Sequence, residues 1–187
     1  MRKFSILTIL TVITVTLFSF KPLIGKLTSN KTHVKFFSTT PAEDIEAHNY
    51  KSVGTLDTQS GEVVFSVPMQ SFEFEKALMQ KHFNSEKFLD TKANPKSKFV
   101  GSIVNLNEVN FEKNGTYQAQ VKGDLTLHGK TNPIVEKVTI HVADNLIKST
   151  GKFTIKLADY GIAFEKGKPS TNISKTVDVT IEADFQH

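Results

Sequence analysis

The side chains best suited to chemistry in this chain are its histidines, at positions 33, 48, 82, 128, 141 and 187. None stands in the HxH, HxxxH or HExxH spacing that places two zinc ligands on one face of a strand or helix. A site assembled from distant elements, such as His82 with His128 and a carboxylate from Glu43 or Glu75, is the remaining route to a metal centre. Because histidines more often hydrogen-bond at strand ends, no metal ligand is assigned.

Paired acids are the second candidate group, in Glu43-Asp44-Ile45-Glu46 and in Glu73 with Glu75. Two carboxylates serve a hydrolase only when they face each other across a substrate, which chain neighbours seldom do. The chain also has no Cys, no Gly-x-Ser-x-Gly motif, no phosphate loop and no dinucleotide fingerprint. We therefore assign no catalytic residue and no cofactor, and we expect a protein that is not an enzyme.

Composition narrows the class of protein further. The 187 residues are 39% hydrophobic and 22% charged, with 15 Phe, no Trp and no Cys, which excludes a disordered chain and a disulfide-stapled miniprotein. The net charge is +4, and Arg2 and Lys3 contribute two of these charges. The remaining surplus is too small to favour nucleic acid. The length suits one domain.

The N-terminal segment has the layout of a secretory signal peptide. Arg2-Lys3 is followed by an uncharged, mostly apolar run from Phe4 to Phe20. We assign residues 1–25 to this leader, with an uncertain cleavage site, and residues 26–187 to the mature domain. The predicted location is therefore the periplasm or the exterior. Because the chain has no Cys for lipid attachment, an uncleaved leader would be its membrane tether, and other membrane contact would be transient.

Apolar and polar residues alternate with a period of two along most of the mature domain, which predicts β-strands. Any functional site in this domain would therefore be positioned by strands. From Ile173 to Phe185 the odd positions are apolar except Lys175, and the even positions are polar. Similar alternation predicts about eight strands: His33–Ser38, Tyr50–Leu56, Glu62–Val67, Phe99–Leu106, Tyr117–Leu127, Ile134–Val142, Ile147–Leu157 and Asn172–Phe185.

Turn and helix signals separate these strands. Asn114-Gly115 predicts a hairpin, residues 129–133 a second turn and Asp144-Asn145 a third, so we expect antiparallel neighbours in an up-and-down order. The period of two breaks between Ser71 and Asn84, which predicts a short amphipathic helix with Phe72, Phe74, Leu78, Met79 and Phe83 on its apolar side. Residues 41–47 predict one further helical turn, with Thr40 as N-cap.

Eight amphipathic antiparallel strands favour an all-β, lipocalin-like barrel, because closure removes both exposed sheet edges. A barrel of that size is either filled by its own side chains or holds one small ligand, and a solid core or a sandwich is the alternative. The inward set is apolar and would suit a lipid. Strand parity gives these lining residues: Phe36, Val63, Phe65, Val67, Phe99, Ile103, Val121, Leu125, Ile140, Phe153, Ile155, Val177, Val179 and Ile181.

The segment Gly123-Asp124-Leu125-Thr126-Leu127-His128-Gly129-Lys130-Thr131-Asn132-Pro133 resembles a signature of the YceI-like family of exported, lipocalin-like proteins. Supporting pieces follow the same order along the chain: 34–38, 78–84, 88–90, 94–99 and 159–162. The resemblance implies an eight-stranded antiparallel barrel with a helix inserted between strands three and four. It also implies a long polyisoprenoid or similar amphiphile in the apolar interior.

Together these observations predict an exported barrel that binds or carries a long-chain isoprenoid or other amphiphilic lipid, without chemical turnover. His82, His128 and Lys130 are the candidates for contact with a headgroup at the mouth. Two alternatives stay open: a small metal-dependent or hydrolytic enzyme using a His82/His128 cluster, and a ligand-free structural or stress-response barrel. A homodimer is one allowed arrangement, and no nucleic-acid partner is expected.

Overall fold

The computed structural model describes residues 25–40, 43–162, 164–165, 168–169 and 174–186. The predicted leader, apart from Gly25, lies outside these ranges. Among the described helices, none is both long enough and apolar enough to cross a membrane.

Antiparallel strands account for most of the described residues. The alternation of apolar and polar residues predicts this, because it gives each strand one face to bury. The described ranges contain eight long strands: β1 Lys26–Thr39, β2 Asp44–Asp57, β3 Glu62–Pro68, β4 Lys96–Ile103, β5 Gly115–Leu127, β6 Lys130–Ala143, β7 Leu146–Lys156 and β8 Thr176–Gln186. A separate two-residue ladder joins Phe164–Glu165 to Lys168–Pro169.

The eight strands close into a barrel, as the sequence predicts. Each strand pairs with the next from β2 to β8, and β1 pairs with β8 on one side and β2 on the other. Along β8 the register runs without interruption, from Thr176 opposite Lys156 to Gln186 opposite Leu146. Because neighbouring strands run in opposite directions, the connections lie at two ends of the barrel. We call the end with the β3–β4 connection, residues 69–95, the helix end, and the end with the β4–β5 connection, residues 104–114, the closed end.

The pairing of β1 with β2 contains two register shifts, between Ser29 and Val34. Buried polar side chains gather here and satisfy one another. The fully buried Asn49 donates to the carbonyl oxygen of Pro68 at 2.8 Å and accepts from the Ser52 hydroxyl at 3.0 Å. A buried amide left without partners would be costly, so these bonds fix how β2 meets the end of β3.

The closed end is sealed by the connection between β4 and β5. Residues 104–114 form a loop with a 3-10 turn at Leu106–Glu108, and its Val109 and Phe111 are buried in the barrel core. The two-residue hairpin predicted at Asn114-Gly115 is therefore wrong, because a tight turn would leave this end of the barrel uncovered. Asn114 instead receives a hydrogen bond from the backbone N–H of Asp144 at 2.8 Å.

The helix end carries the insertion between β3 and β4, as predicted. Its helix, α1, spans Ala77–Asn84, so it is shorter than the predicted 71–84. Phe72 is buried in extended backbone, and Glu73–Phe74 pair with β2. Leu78 is 63% exposed, which corrects its assignment to the packed face. Phe83, 7% exposed, is the helix residue that enters the core.

Two further local predictions are wrong. Residues 44–47, predicted as part of a helical turn, belong to β2, where their register with β1 determines the conformation, and residues 41–42 lie outside the described ranges.

The turn predicted at 129–133 lies at His128-Gly129, where both residues have positive φ angles of 50° and 72°. Such a two-residue turn matches the twist of the flanking strands. The predicted turn at Asp144-Asn145 joins β6 to β7.

Removing core volume at the closed end should destabilise the barrel. Ile147 is 0% exposed in the apolar cluster of the closed end, which also contains Val109, Phe111 and Phe185. We expect Ile147→Ala to lower the free energy of unfolding by about 2–5 kcal/mol, since both buried surface and packing are lost. Val135, 50% exposed, is the matched control, and Val135→Ala should cost below about 1 kcal/mol. Urea unfolding measures both, and equal losses would contradict this placement of the core.

Candidate functional site

An elongated apolar cavity of about 640 Å³ runs through the barrel. This volume lies within the range of about 300–1,000 Å³ typical of small-molecule sites. The lining extends from Phe185 at the closed end to Thr40, Glu43 and His82 at the helix end. The barrel is therefore hollow, and the solid-core alternative is excluded for this structure.

The residues that strand parity predicts to face inward lie on the wall of this cavity. Every predicted lining residue contributes to the surface of the cavity: Phe36, Val63, Phe65, Val67, Phe99, Ile103, Val121, Leu125, Ile140, Phe153, Ile155, Val177, Val179 and Ile181. Their contact with a ligand stays a prediction.

Glycines on the inward face explain how space remains beside so many aromatic rings. Gly54 lies beneath the ring of Phe65, where an added Cβ would lie 2.5 Å from Cε1. Gly101 and Gly123 face each other across β4 and β5, and the Phe99 ring occupies the space that their side chains would need. The rings therefore lie flat against the wall, and the centre of the barrel stays open.

A cluster of five phenylalanines forms the cavity wall at the helix end. Phe83 of α1 is at its centre, with ring centroids 5.0 Å from Phe74, 5.5 Å from Phe72 and 5.6 Å from Phe36. Phe88 follows at 6.3 Å. Sequence reasoning placed only Phe36 in the lining, because strand parity does not extend into an irregular insertion. The density of aromatic residues between positions 72 and 88 was the available signal.

One ion pair ties the start of α1 to the neighbouring turn. The Lys76 ammonium lies 2.6 Å from the Glu43 carboxylate, and this hydrogen bond raises the pKa of Lys76 above its usual value. Both side chains are largely exposed, so the pair orients the insertion more than it stabilises the fold.

The three candidate headgroup residues have different surroundings. His82 is exposed on α1 and contributes to the cavity rim. His128 lies in the β5–β6 turn, where its Nδ1 is 3.2 Å from the carbonyl oxygen of Tyr160, and Lys130 is exposed beside Gly161. Neither His128 nor Lys130 lines the cavity. Within the described part of the chain, no cluster of His, Asp and Glu has the arrangement of a metal site.

Glu136 is a lining residue that sequence reasoning missed. It lies on β6 between Ile134 and Val138, and all three share the inward face. Partial burial raises the pKa of the Glu136 carboxyl. Among the described residues no cation lies within ion-pairing distance of it. The signal was present in the sequence, because position 136 has the parity of its apolar neighbours.

The barrel wall has a gap beside Glu136. β6 and β7 are paired from Ala143 opposite Leu146 only as far as Val138 opposite Gly151. Toward the helix end, residues 130–137 and 152–156 continue as strands without pairing to each other in the described ranges. Pro133, which lacks an N–H, lies in this stretch, a setting in which strands tolerate proline.

The environment of Glu136 predicts a pH-dependent effect on stability in the ligand-free protein. A carboxyl with a raised pKa does not destabilise the folded state while it is protonated, and opposes folding once ionised. Glu136→Gln should therefore match the original protein below the carboxyl's usual pKa of 4.5. The Glu136→Gln variant should become more stable than the original protein as the pH rises through the raised pKa of the Glu136 carboxyl. Urea unfolding across this range tests it, and a constant difference at every pH would contradict it.

Comparisons with known sequences identify the family. A profile of the YceI-like domain matches residues 24–185. A UPF0312 protein of Pseudomonas syringae pv. tomato is 36% identical over 108 residues, which cover 54% of this chain and 51% of that protein. A UPF0312 protein of Vibrio cholerae is 41% identical over 73 residues, 39% of this chain and 35% of that protein. The chain thus spans about half the length, or less, of these relatives.

Solved structures show the same fold. A polyisoprenoid binding domain from Saccharophagus degradans, implicated in plant cell wall breakdown, aligns with a TM-score of 0.71 and 16% identity, over 88% of this chain and 98% of that one. Burkholderia cenocepacia BcnA aligns with a TM-score of 0.68 and 18% identity, over 82% and 96%. At these identities the likeness concerns the fold. Because the family profile covers nearly all of the chain after residue 23, this protein belongs to the YceI-like domain family.

Proposed function

We propose that this protein binds a long-chain isoprenoid or similar amphiphilic lipid inside the barrel and carries it without chemical change. The observation that carries the proposal is the apolar cavity of about 640 Å³, walled by aliphatic residues and phenylalanine. The family membership and the polyisoprenoid-binding description of the Saccharophagus structure support it.

The energetics of such a cavity favour a long chain. Each methylene moved from water into an apolar site contributes about 0.8 kcal/mol, so ten buried carbons offer about 8 kcal/mol before the entropic costs of binding. The cavity also follows β8 from Val177 to Phe185, a strand length of about 26 Å at the usual rise per residue. An extended hydrocarbon chain fits this shape better than a compact ligand does.

Export and transient membrane contact complete the proposal. The leader of residues 1–25 would direct the chain to the periplasm or the exterior. At the helix end, Leu78 is exposed on α1 beside the exposed Lys81, and Lys87 lies on the cavity rim. An apolar side chain flanked by cations suits brief contact with an anionic membrane surface, from which a lipid would enter the cavity.

Direct binding tests the main proposal. Residues 26–187, purified, stripped of lipid and refolded, should take up a polyprenol from a mixed lipid extract. Native mass spectrometry should then show a one-to-one adduct. The absence of any adduct would overturn the carrier function and leave the ligand-free barrel.

Filling the cavity should reduce binding without unfolding the barrel. Gly151 faces inward, and a Cβ added there would meet only Val138 Cγ1, at an ordinary contact of 3.7 Å. Gly151→Leu should therefore weaken binding of a C20 prenol by about tenfold or more, because its side chain occupies space for roughly three methylenes.

The control is Lys152→Leu, which adds the same side chain to the opposite face of β7, where the residue is exposed. Fluorescence competition with a lipophilic probe measures both affinities, and circular dichroism checks the fold. Equal affinities for the two variants would place the ligand outside the barrel.

A further inference from the structure

Glu136 places a carboxyl group on an otherwise apolar stretch of the cavity wall. The strand register puts it opposite Val121, which in turn lies opposite Ile103, and all three residues line the cavity. On the neighbouring strand β7, across the gap, lie Phe153 and Ile155, which also line the cavity. The carboxyl thus projects into a region of hydrocarbon side chains.

The packing of Ile134 and Val138 shows how far along the barrel the Glu136 carboxyl lies. Ile134, two residues before it, packs against the apolar cluster of the helix end, which contains Phe83, Leu125 and Leu157. Val138, two residues after it, packs against the cluster of the closed end. Glu136 therefore lies between the two halves of the cavity, well inside the rim formed by residues such as His82 and Lys87.

The chemistry of the site favours a particular polar group on the ligand. Partial burial raises the pKa of the Glu136 carboxyl, and no described cation forms an ion pair with it. A hydroxyl group can accept a hydrogen bond from the protonated form and donate one to the ionised form. It therefore pairs with Glu136 in either state.

An anionic group is disfavoured at the same position. A phosphate would place its charge beside an ionised carboxylate in a medium of reduced dielectric constant, where like charges repel more strongly than in water. The adjacent Lys137 contributes to the edge of the cavity, but its side chain is exposed and belongs to the outer face of β6 by strand parity. Among the described residues, no lysine forms an ion pair with Glu136.

We propose that Glu136 is a selectivity-determining residue that binds the hydroxyl end of a long-chain alcohol at mid-depth, beside the gap between β6 and β7, and excludes the corresponding phosphate. This inference rests on the proposed lipid-binding function and adds the chemical class of the ligand's polar end.

The test compares two probes that differ only at the polar end, geranylgeraniol and geranylgeranyl monophosphate. Their affinities are measured with the full mature domain by fluorescence competition. The original protein should favour the alcohol by about tenfold or more. Glu136→Gln, which keeps the shape and removes the charge, should shift this preference toward the monophosphate by about tenfold.

Two further variants separate selectivity from general damage. Glu136→Leu cannot hydrogen-bond, and it should bind the alcohol about fivefold to tenfold more weakly than Glu136→Gln does. Glu112→Gln is the matched control, because it removes the same charge from an exposed site that does not line the cavity. Its alcohol-to-phosphate preference should equal that of the original protein.

The outcomes are distinct. If the original protein binds both probes and Glu136→Gln leaves their ratio unchanged, the inference about Glu136 is wrong and the carrier function stands. If His82→Ala shifts the ratio and Glu136→Gln does not, the polar end lies at the rim, which also overturns the inference. If the original protein binds neither probe nor any polyprenol, the proposed function fails and the inference fails with it.

Discussion

Closure of the sheet at β1 is the constraint on which the rest of the structure depends. β1 pairs with β8 along one edge and with β2 along the other, so a chain that would otherwise expose two strand edges exposes neither at this seam. Closure fixes the number of inward positions around the barrel. β1 and β2 meet through a bulged register near Thr32, where the buried Asn49 accepts hydrogen bonds from the Lys51 N–H and the Ser52 hydroxyl.

The hollow interior follows from which residues occupy those inward positions. A barrel of eight strands is just wide enough for its own side chains to fill it. Here Gly54, Gly101, Gly123 and Gly151 take inward positions, and the aromatic rings of Phe65 and Phe99 lie over three of them. An apolar space of this kind forfeits packing contacts when it is empty. A hydrocarbon ligand would restore those contacts, so binding and folding stability should rise together.

Alternation of residue types predicts the strands, the barrel and the inward faces, because in a closed antiparallel sheet parity alone decides which side chains face the interior. It fails where the chain leaves that geometry. The Phe72, Phe74 and Phe83 side chains meet through an irregular insertion, and Val109 and Phe111 seal the closed end from a loop whose Asn114-Gly115 signal resembles a tight turn. Glu136 was missed for a different reason, since its charge suggested the outer face although its position in the strand indicated the inner one.

Val109 and Phe111 pack in the same core cluster as Phe185, where the cavity lining stops, so the cavity is a tube with one closed end. A tube of this shape would affect the binding of short chains and long chains differently. A chain shorter than the tube leaves apolar wall uncovered, and each missing carbon lowers the gain from burial. A chain longer than the tube extends its surplus past the phenylalanine cluster into the surroundings, where further carbons gain little. Under the proposed function, the barrel would set a minimum chain length for tight binding and accept longer chains, which suits lipids built from a variable number of identical units.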